Sequence, residues 1–126
     1  SAEEVFTGAV PLEADKAFVI DHMVTGPNEV VVRLHILGNY YLYKEKFIFS
    51  SRDFYIEDVN FPAGTVKFDD FFGLSEIYYN VMETTLQISP KISGITMGIL
   101  EVAYQGCWEG GVCYPLTRKS LQIREL

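Results

Sequence analysis

Positive charge and cysteine are both scarce in this chain: 126 residues carry ten Lys and Arg against seventeen Asp and Glu, a formal charge of -7, and only two Cys. Phosphate binding needs a basic face, and these cations are scattered, so a nucleic-acid partner is excluded. No apolar run approaches the roughly 18 residues of a transmembrane helix, so the domain itself is not expected to insert into a membrane. The chain has just two histidines, His22 and His35. They do not cluster with the cysteines as a zinc site requires, and His35 falls on the polar face of its strand, so no metal is expected. A phosphate-binding glycine loop, a nucleophile elbow and an Asn-x-Ser/Thr acceptor are all missing, which leaves nucleotide and hydrolase readings without support. Equally absent are an amphipathic helix of about 12 residues, an internal repeat and a low-complexity linker.

What is present is β structure. Val30, Val32, Leu34 and Ile36 alternate with Val31, Arg33, His35 and Leu37, the period-2 pattern of a half-buried strand. Phe18 to Ile20, Tyr40 to Phe49, Tyr78 to Ile88, Ile95 to Tyr104 and Ser120 to Ile123 are similar β-branched or aromatic runs. Turn signals bound most of them, at Gly26-Pro27-Asn28, Gly38-Asn39, Pro62-Ala63-Gly64, Ser89-Pro90 and Ser93-Gly94. About seven to nine short strands in one domain spanning residues 1–126 predict an all-β, immunoglobulin-like two-sheet sandwich, with a barrel as the alternative. At 48% hydrophobic composition the chain can bury about 60–70% of its unfolded surface without a disulfide.

The two cysteines stand in Tyr104-Gln105-Gly106-Cys107-Trp108-Glu109-Gly110-Gly111-Val112-Cys113-Tyr114-Pro115. A three-residue turn at Glu109, Gly110 and Gly111, with the glycines supplying positive φ, would set Cys107 opposite Cys113 on antiparallel strands. Their Cα atoms would then lie about 4.5–5.5 Å apart, within reach of a disulfide. Such a bond closes a seven-residue loop. In the chain-entropy treatment it constrains the unfolded state by only about 2.4 kcal/mol, against about 4.7 for a 100-residue loop. It is a weak staple beside an exposed tip, where an external thiolate can attack, and no cofactor beyond the cysteine pair is called for. A close cysteine pair in a β-rich chain fits an oxidising compartment. Since Ser1-Ala2-Glu3-Glu4 has neither part of a signal peptide, the expectation is an extracytoplasmic domain whose leader has been removed.

A second segment, Phe68-Asp69-Asp70-Phe71-Phe72-Gly73-Leu74-Ser75-Glu76-Ile77-Tyr78, sets two acids before two phenylalanines and a glycine. Adjacent acids in an extended chain point to opposite sides, so Asp69 and Asp70 do not form an acid–base pair. A phenylalanine exposed on this loop wants apolar cover, and a disulfide offers a soft apolar surface on which it could rest as a lid.

At these residues the chain resembles the N-terminal periplasmic domain of the bacterial thiol:disulfide interchange protein DsbD. The likeness rests on Tyr40-Tyr41-Leu42-Tyr43, Asp69-Asp70-Phe71-Phe72-Gly73, Ser75-Glu76-Ile77-Tyr78, and Tyr104-Gln105-Gly106-Cys107 with Cys113-Tyr114-Pro115, in an order covering residues 18 to 123. The resemblance implies an immunoglobulin-like sandwich with a redox-active cysteine hairpin, in the periplasmic part of an inner-membrane protein-disulfide reductase. Electrons would arrive from a thioredoxin-like C-terminal domain of the same protein and leave to periplasmic disulfide isomerases and the thioredoxin-like protein of cytochrome c maturation. It further implies that Cys113 forms the mixed disulfide and Cys107 resolves it, that Asp69, Asp70, Phe71, Phe72 and Gly73 form a cap loop with Phe71 shielding the bond, and that Tyr41 and Tyr43 form the other wall. Trp108, Glu109 and Tyr114 are candidate partner contacts. Trp108 is bulkier than the family's residues at that point, Leu74 stands where a basic residue is usual, and Phe72 where a tyrosine is. The competing reading from another class is a passive immunoglobulin-like binding module with a structural disulfide.

Overall fold

The computed structural model describes residues 11–126; the expectation drawn from Ser1 to Glu4 lies outside them. After a single helical turn, α1 (Ala14–Ala17), the chain is β structure: β1 (Phe18–Gly26), β2 (Glu29–Ile36), β3 (Tyr40–Tyr43), β4 (Ile48–Ser50), β5 (Phe54–Asn60), β6 (Thr65–Asp69), β7 (Gly73–Tyr78), β8 (Val81–Pro90), β9 (Gly98–Tyr104), β10 (Gly106–Trp108), β11 (Val112–Cys113) and β12 (Thr117–Ile123). One layer of the sandwich is the sheet β1-β2-β8-β5. The other is divided into β12-β9-β4 and β11-β10-β3-β7-β6. The chain joins these two parts by running from β3 into β4, from β9 into β10 and from β11 into β12. Among the described residues no helix is long and apolar enough to cross a membrane.

The expected alternation is realised most cleanly in β2, whose Val30, Val32, Leu34 and Ile36 are buried while the residues between them are half-exposed. They meet Phe54, Met82, Leu86 and Ile88 of their own sheet and Leu100, Val102, Leu121 and Ile123 from across the sandwich. Each such side chain contributes about 1.5–3 kcal/mol by leaving water, so the core does not depend on the sulfur bridge. Asn28 and Asn39, with φ of 64° and 73°, make the two turns expected at their positions.

Several runs are cut differently from the sequence reading. Tyr40 to Phe49 is interrupted by a 3-10 turn, Lys44–Lys46, where the chain leaves one sheet for the next. Tyr78 to Ile88 breaks at Asn80, whose φ is 63°. The boundary expected at Ser89-Pro90 falls at the last residue of β8, where Pro90 still pairs with Phe54. Strands β5 and β6 lie outside the runs read from the sequence. A register shift between Ile56 and Asp58 breaks the alternation of β5, and β6 is an edge strand with Val66 and Phe68 exposed.

Strand β3 is buried along its whole length. Tyr40 and Leu42 enter the main core, while Tyr41 and Tyr43 face the other way and pack with Ile77 and Cys107 in a small second cluster. Strand β10 lies beside β3, with Gly106 opposite Leu42 and Cys107 opposite Tyr41. Gly106 permits that approach, because a Cβ there would stand 2.2 Å from the Tyr41 carbonyl oxygen and 2.8 Å from Leu42 and Phe18 side-chain atoms. Gly106→Ala should therefore destabilise the domain by about 1–3 kcal/mol. Gly26→Ala, where a Cβ meets nothing within 4 Å, should stay within about 0.5 kcal/mol of the parent. Urea unfolding midpoints of the two variants check both; equal midpoints would contradict the crowding at Gly106.

Candidate active site

The cysteine hairpin forms as its sequence suggests. Cys107 pairs with Cys113 and Trp108 with Val112, leaving Glu109, Gly110 and Gly111 as the turn. The Gly111 N–H closes it on the Trp108 carbonyl at 3.0 Å. Cys107 and Cys113 are joined in a disulfide with Cα atoms 4.0 Å apart, shorter than the expected span. Tyr114 N–H donates to the Gly106 carbonyl, which makes the cysteines a non-hydrogen-bonded pair, the kind with the closer side chains. The two glycines differ in their work. Gly111 has φ of 103°, as a tight turn demands. Gly110 has no positive φ; it is needed because a Cβ would fall 2.2 Å from the Trp108 indole.

The sulfur atoms are unequal. Cys107 is fully buried, held between β3 and β11, whereas Cys113 is half-buried on β11, an edge strand of its sheet. Tyr43 Oη lies 3.1 Å from Cys107 Sγ and 3.9 Å from Cys113 Sγ. The Tyr41 and Tyr43 rings meet edge-on at 5.6 Å and form one side of the site.

The hairpin of β6 and β7 brings the segment 69–73 to this place. Asp69 Oδ1 accepts the N–H groups of Phe71 at 3.0 Å and Phe72 at 2.7 Å, which bends the chain, and Gly73 completes the turn at φ of 73°. Asp69 Oδ2 accepts the hydroxyls of Tyr41, at 2.9 Å, and Tyr43. Phe72 lies edge-on against Tyr43 at 4.7 Å, with the Lys46 ammonium 4.6 Å above its ring. Phe71 is 52% exposed and Asp70 is exposed at the tip.

Desolvation works against the Asp69 charge, but hydrogen bonds from Tyr43, the Phe72 amide, Tyr41 and the Phe71 amide outweigh it and hold the carboxyl below its ordinary range. Burial first, then the bond with Asp69, push Tyr43 well above the usual phenol value. Tyr41 is pushed up to about 12, chiefly by burial.

Glu109 is fastened as well. Its carboxylate accepts Lys67 Nζ at 3.2 Å and Tyr79 Oη at 2.8 Å. Trp108 is half-buried over Gly110 and against the core. Tyr114 packs edge-on to Phe18 at 5.7 Å and donates its hydroxyl to the Leu12 carbonyl. Lys67 and Tyr79 escaped the sequence reading. The available signal was that Lys67 shares a strand face with Asp69, two residues on. Among the described residues no three His, Cys, Asp or Glu side chains gather as metal ligands. His22 reaches the Gln122 carbonyl and His35 reaches Asp21, both on the exposed surface.

A family model described as thiol:disulfide interchange protein DsbD, N-terminal, matches residues 9–125. The thiol:disulfide interchange protein DsbD of Pseudoalteromonas atlantica is 36% identical over 113 residues, covering 89% of this chain and 18% of that protein. Its namesake in Escherichia coli K12 is 33% identical, covering 90% of this chain and 19% of that protein. The chain thus spans about a fifth of the length of these curated relatives. Among solved structures, the reduced DsbD N-terminal domain of Neisseria meningitidis superposes with a TM-score of 0.79 at 28% identity, covering 93% of this chain and 92% of that one. The structure of the complex between the DsbD and PilB N-terminal domains of the same organism matches with a TM-score of 0.71 at 27% identity, over 89% and 86% of the two chains.

The depressed Asp69 carboxyl stabilises the fold above its unfolded value near pH 4, and that contribution is lost as pH falls through the folded value. Asp69→Asn should lower the thermal midpoint at pH 7. The gap from the parent should narrow as pH falls from about 4 toward 2. A gap that stays constant on acidification would show that the Asp69 charge is not what holds the tip.

Proposed function

The chain belongs to the family of DsbD N-terminal domains, and on that footing we propose that it is a thiol–disulfide exchange domain whose working groups are Cys107 and Cys113. The observation that carries the reading is the asymmetry of the bond: a buried Cys107 joined to a half-buried Cys113 on an edge strand, beside two tyrosines to which a hairpin tip is tied through Asp69. An attacking thiolate must approach in line with the S–S bond. The side beyond Cys113 is a sheet edge; the side beyond Cys107 is strand β3.

In the proposed cycle a partner thiolate attacks Cys113 Sγ, a mixed disulfide forms, and Cys107 departs as the thiolate. The partner's second thiol then displaces Cys113, so the partner leaves oxidised and both cysteines here are reduced by its two electrons. Toward a client the steps reverse: Cys113 attacks the client disulfide and Cys107 resolves the mixed bond. We assign the first partner to a thioredoxin-like C-terminal domain of the same inner-membrane protein. The clients are oxidised thioredoxin-fold proteins of the periplasm, among them disulfide isomerases and the thioredoxin-like protein of cytochrome c maturation. That assignment makes the domain part of a protein-disulfide reductase. It draws support from the relatives' name and from the solved complex with a PilB domain.

The segment Asp69 to Gly73 acts as the cap in this reading, with Phe72 covering Tyr43, while the Phe71 ring, expected as the shield of the bond, is half-exposed and is offered to an arriving partner. Tyr41 and Tyr43 are the fixed wall. A thiolate at Cys107 would lie in an apolar pocket with the Asp69 charge behind Tyr43, both of which disfavour it. Reduced cysteines would then stay protonated until a docked partner arrives. Trp108 and Tyr114 act as packing that holds the hairpin in place.

Trapping tests the assignment. Mixed with an oxidised thioredoxin-fold partner, Cys107→Ala should accumulate a mixed disulfide on a non-reducing gel, and Cys113→Ala should form about tenfold less. Equal adducts from both variants, or none from either, would overturn it.

A further inference from the structure

The cap hairpin, tied to β3 through Asp69, is also fastened to the cysteine hairpin, at a second place beside the Tyr41 ring. Glu109 sits at the turn of the cysteine hairpin, with its backbone fixed: its N–H donates at 2.7 Å to the carbonyl of Asn39, itself locked in the β2–β3 turn at φ of 73°. From that post the carboxylate reaches outward. Tyr79, just beyond β7, donates its hydroxyl to Oε1 at 2.8 Å and packs against Tyr41 at 6.1 Å, so it sets the carboxylate's direction. Lys67, on edge strand β6 of the cap hairpin, places Nζ 3.2 Å from Oε2 and 5.3 Å from the centre of the Tyr41 ring. The Lys67 and Glu109 side chains are only 27% and 35% exposed, and the stem of Lys67 runs on the same strand face as Asp69.

We propose that Lys67 and Glu109 form a latch that couples movement of the cap to freedom of the Cys113 strand, making both of them positioning residues for exchange at Cys113. The inference rests on reading the pair as an exchange centre with a movable cap. Two polar hooks of the cap hairpin reach the site: Asp69 onto β3, and Lys67 onto the cysteine turn. The hairpin's base is anchored, with Ile77 and Tyr78 buried and Glu76 paired with Lys44, but toward the tip no ladder continues, since β7 pairs with β3 only at Leu42–Tyr78 and Tyr43–Ile77. Strand β11 is paired to β10 at just two positions, and beyond them the Cys107–Cys113 bond and the Tyr114 N–H on Gly106 hold its far end, so the turn is the end left to move. Lifting the cap therefore pulls Lys67 from Glu109 and removes one of the side-chain holds on the turn four residues before Cys113, leaving the turn on its Asn39 and Tyr79 bonds. A partner that opens the cap thereby loosens the strand carrying the sulfur it must attack. An ion pair of this exposure changes an opening equilibrium by a small factor, which suits a gate that must open at each turnover.

The test is the rate at which the Cys107–Cys113 bond is reduced by tris(3-hydroxypropyl)phosphine, an uncharged reductant, at low salt. Lys67→Met and Glu109→Gln should each speed reduction by about two- to fivefold, with the double variant no faster than either single one. Exchanging the charges, Lys67→Glu with Glu109→Lys, should bring the rate back toward the parent's. Sodium chloride should accelerate the parent and leave the single variants unmoved. The two single substitutions change net charge in opposite directions, so a field effect would move their rates apart; a latch moves both upward. Parent-like rates in both variants, additive effects in the double variant, or thermal midpoints that fall in step with the faster rates would overturn the latch. The readout uses no partner protein, so a failed latch and a failed carrier assignment are separate results.

Discussion

The site hangs on the carboxylate of Asp69. One oxygen takes two backbone N–H groups and so bends the tip of the cap hairpin; the other takes the hydroxyls of Tyr41 and Tyr43 and so fastens that tip to a strand of the sandwich. A charged acceptor makes each of these bonds stronger than a neutral one would. Phe72 arrives against Tyr43 as a consequence, and Tyr43 touches both sulfur atoms. A single side chain thus links loop shape, cap position and the surroundings of the disulfide.

The sandwich leaves the disulfide free for this use. Both cysteines lie in one sheet, on neighbouring strands that already pair, so their bond pins no layer to another. The closed loop is short, its constraint on the unfolded chain small, and the core of aliphatic and aromatic side chains stands apart from it. Cys107 belongs instead to the small cluster with Tyr41, Tyr43 and Ile77, on the far side of β3 from the main core. Bond making and breaking there disturbs a satellite of the fold.

Much of this was legible in the sequence where the signal is local. The period-2 run of β2, the turn asparagines and the spacing of the two cysteines are properties of a few consecutive residues, and each appears where its pattern places it. Strand β5 was hidden because its register shift puts two acids out of phase, and β6 because it is a short edge strand whose alternation is inverted, with Val66 and Phe68 outward and Lys67 and Asp69 toward the protein. The run from Tyr40 to Phe49 reads as one strand, since nothing local says that the chain changes sheets at Lys44. Gly110 illustrates another limit: its residue type was expected for its φ, yet the reason lies in the indole of Trp108 folded across it. Side chains that meet across hairpins, such as Lys67 and Tyr79 on Glu109, depend on register between strands far apart in sequence. No window of one strand holds that information.

The central claim is that this disulfide exists to be exchanged under a cap. Its reduction potential, measured by equilibrating the domain with glutathione or dithiothreitol couples, tests that most directly. The account predicts a value at or above about -270 mV, the range of exchange-active pairs. A potential below about -300 mV, with the bond resisting the whole series, is the behaviour of a structural staple and would contradict it.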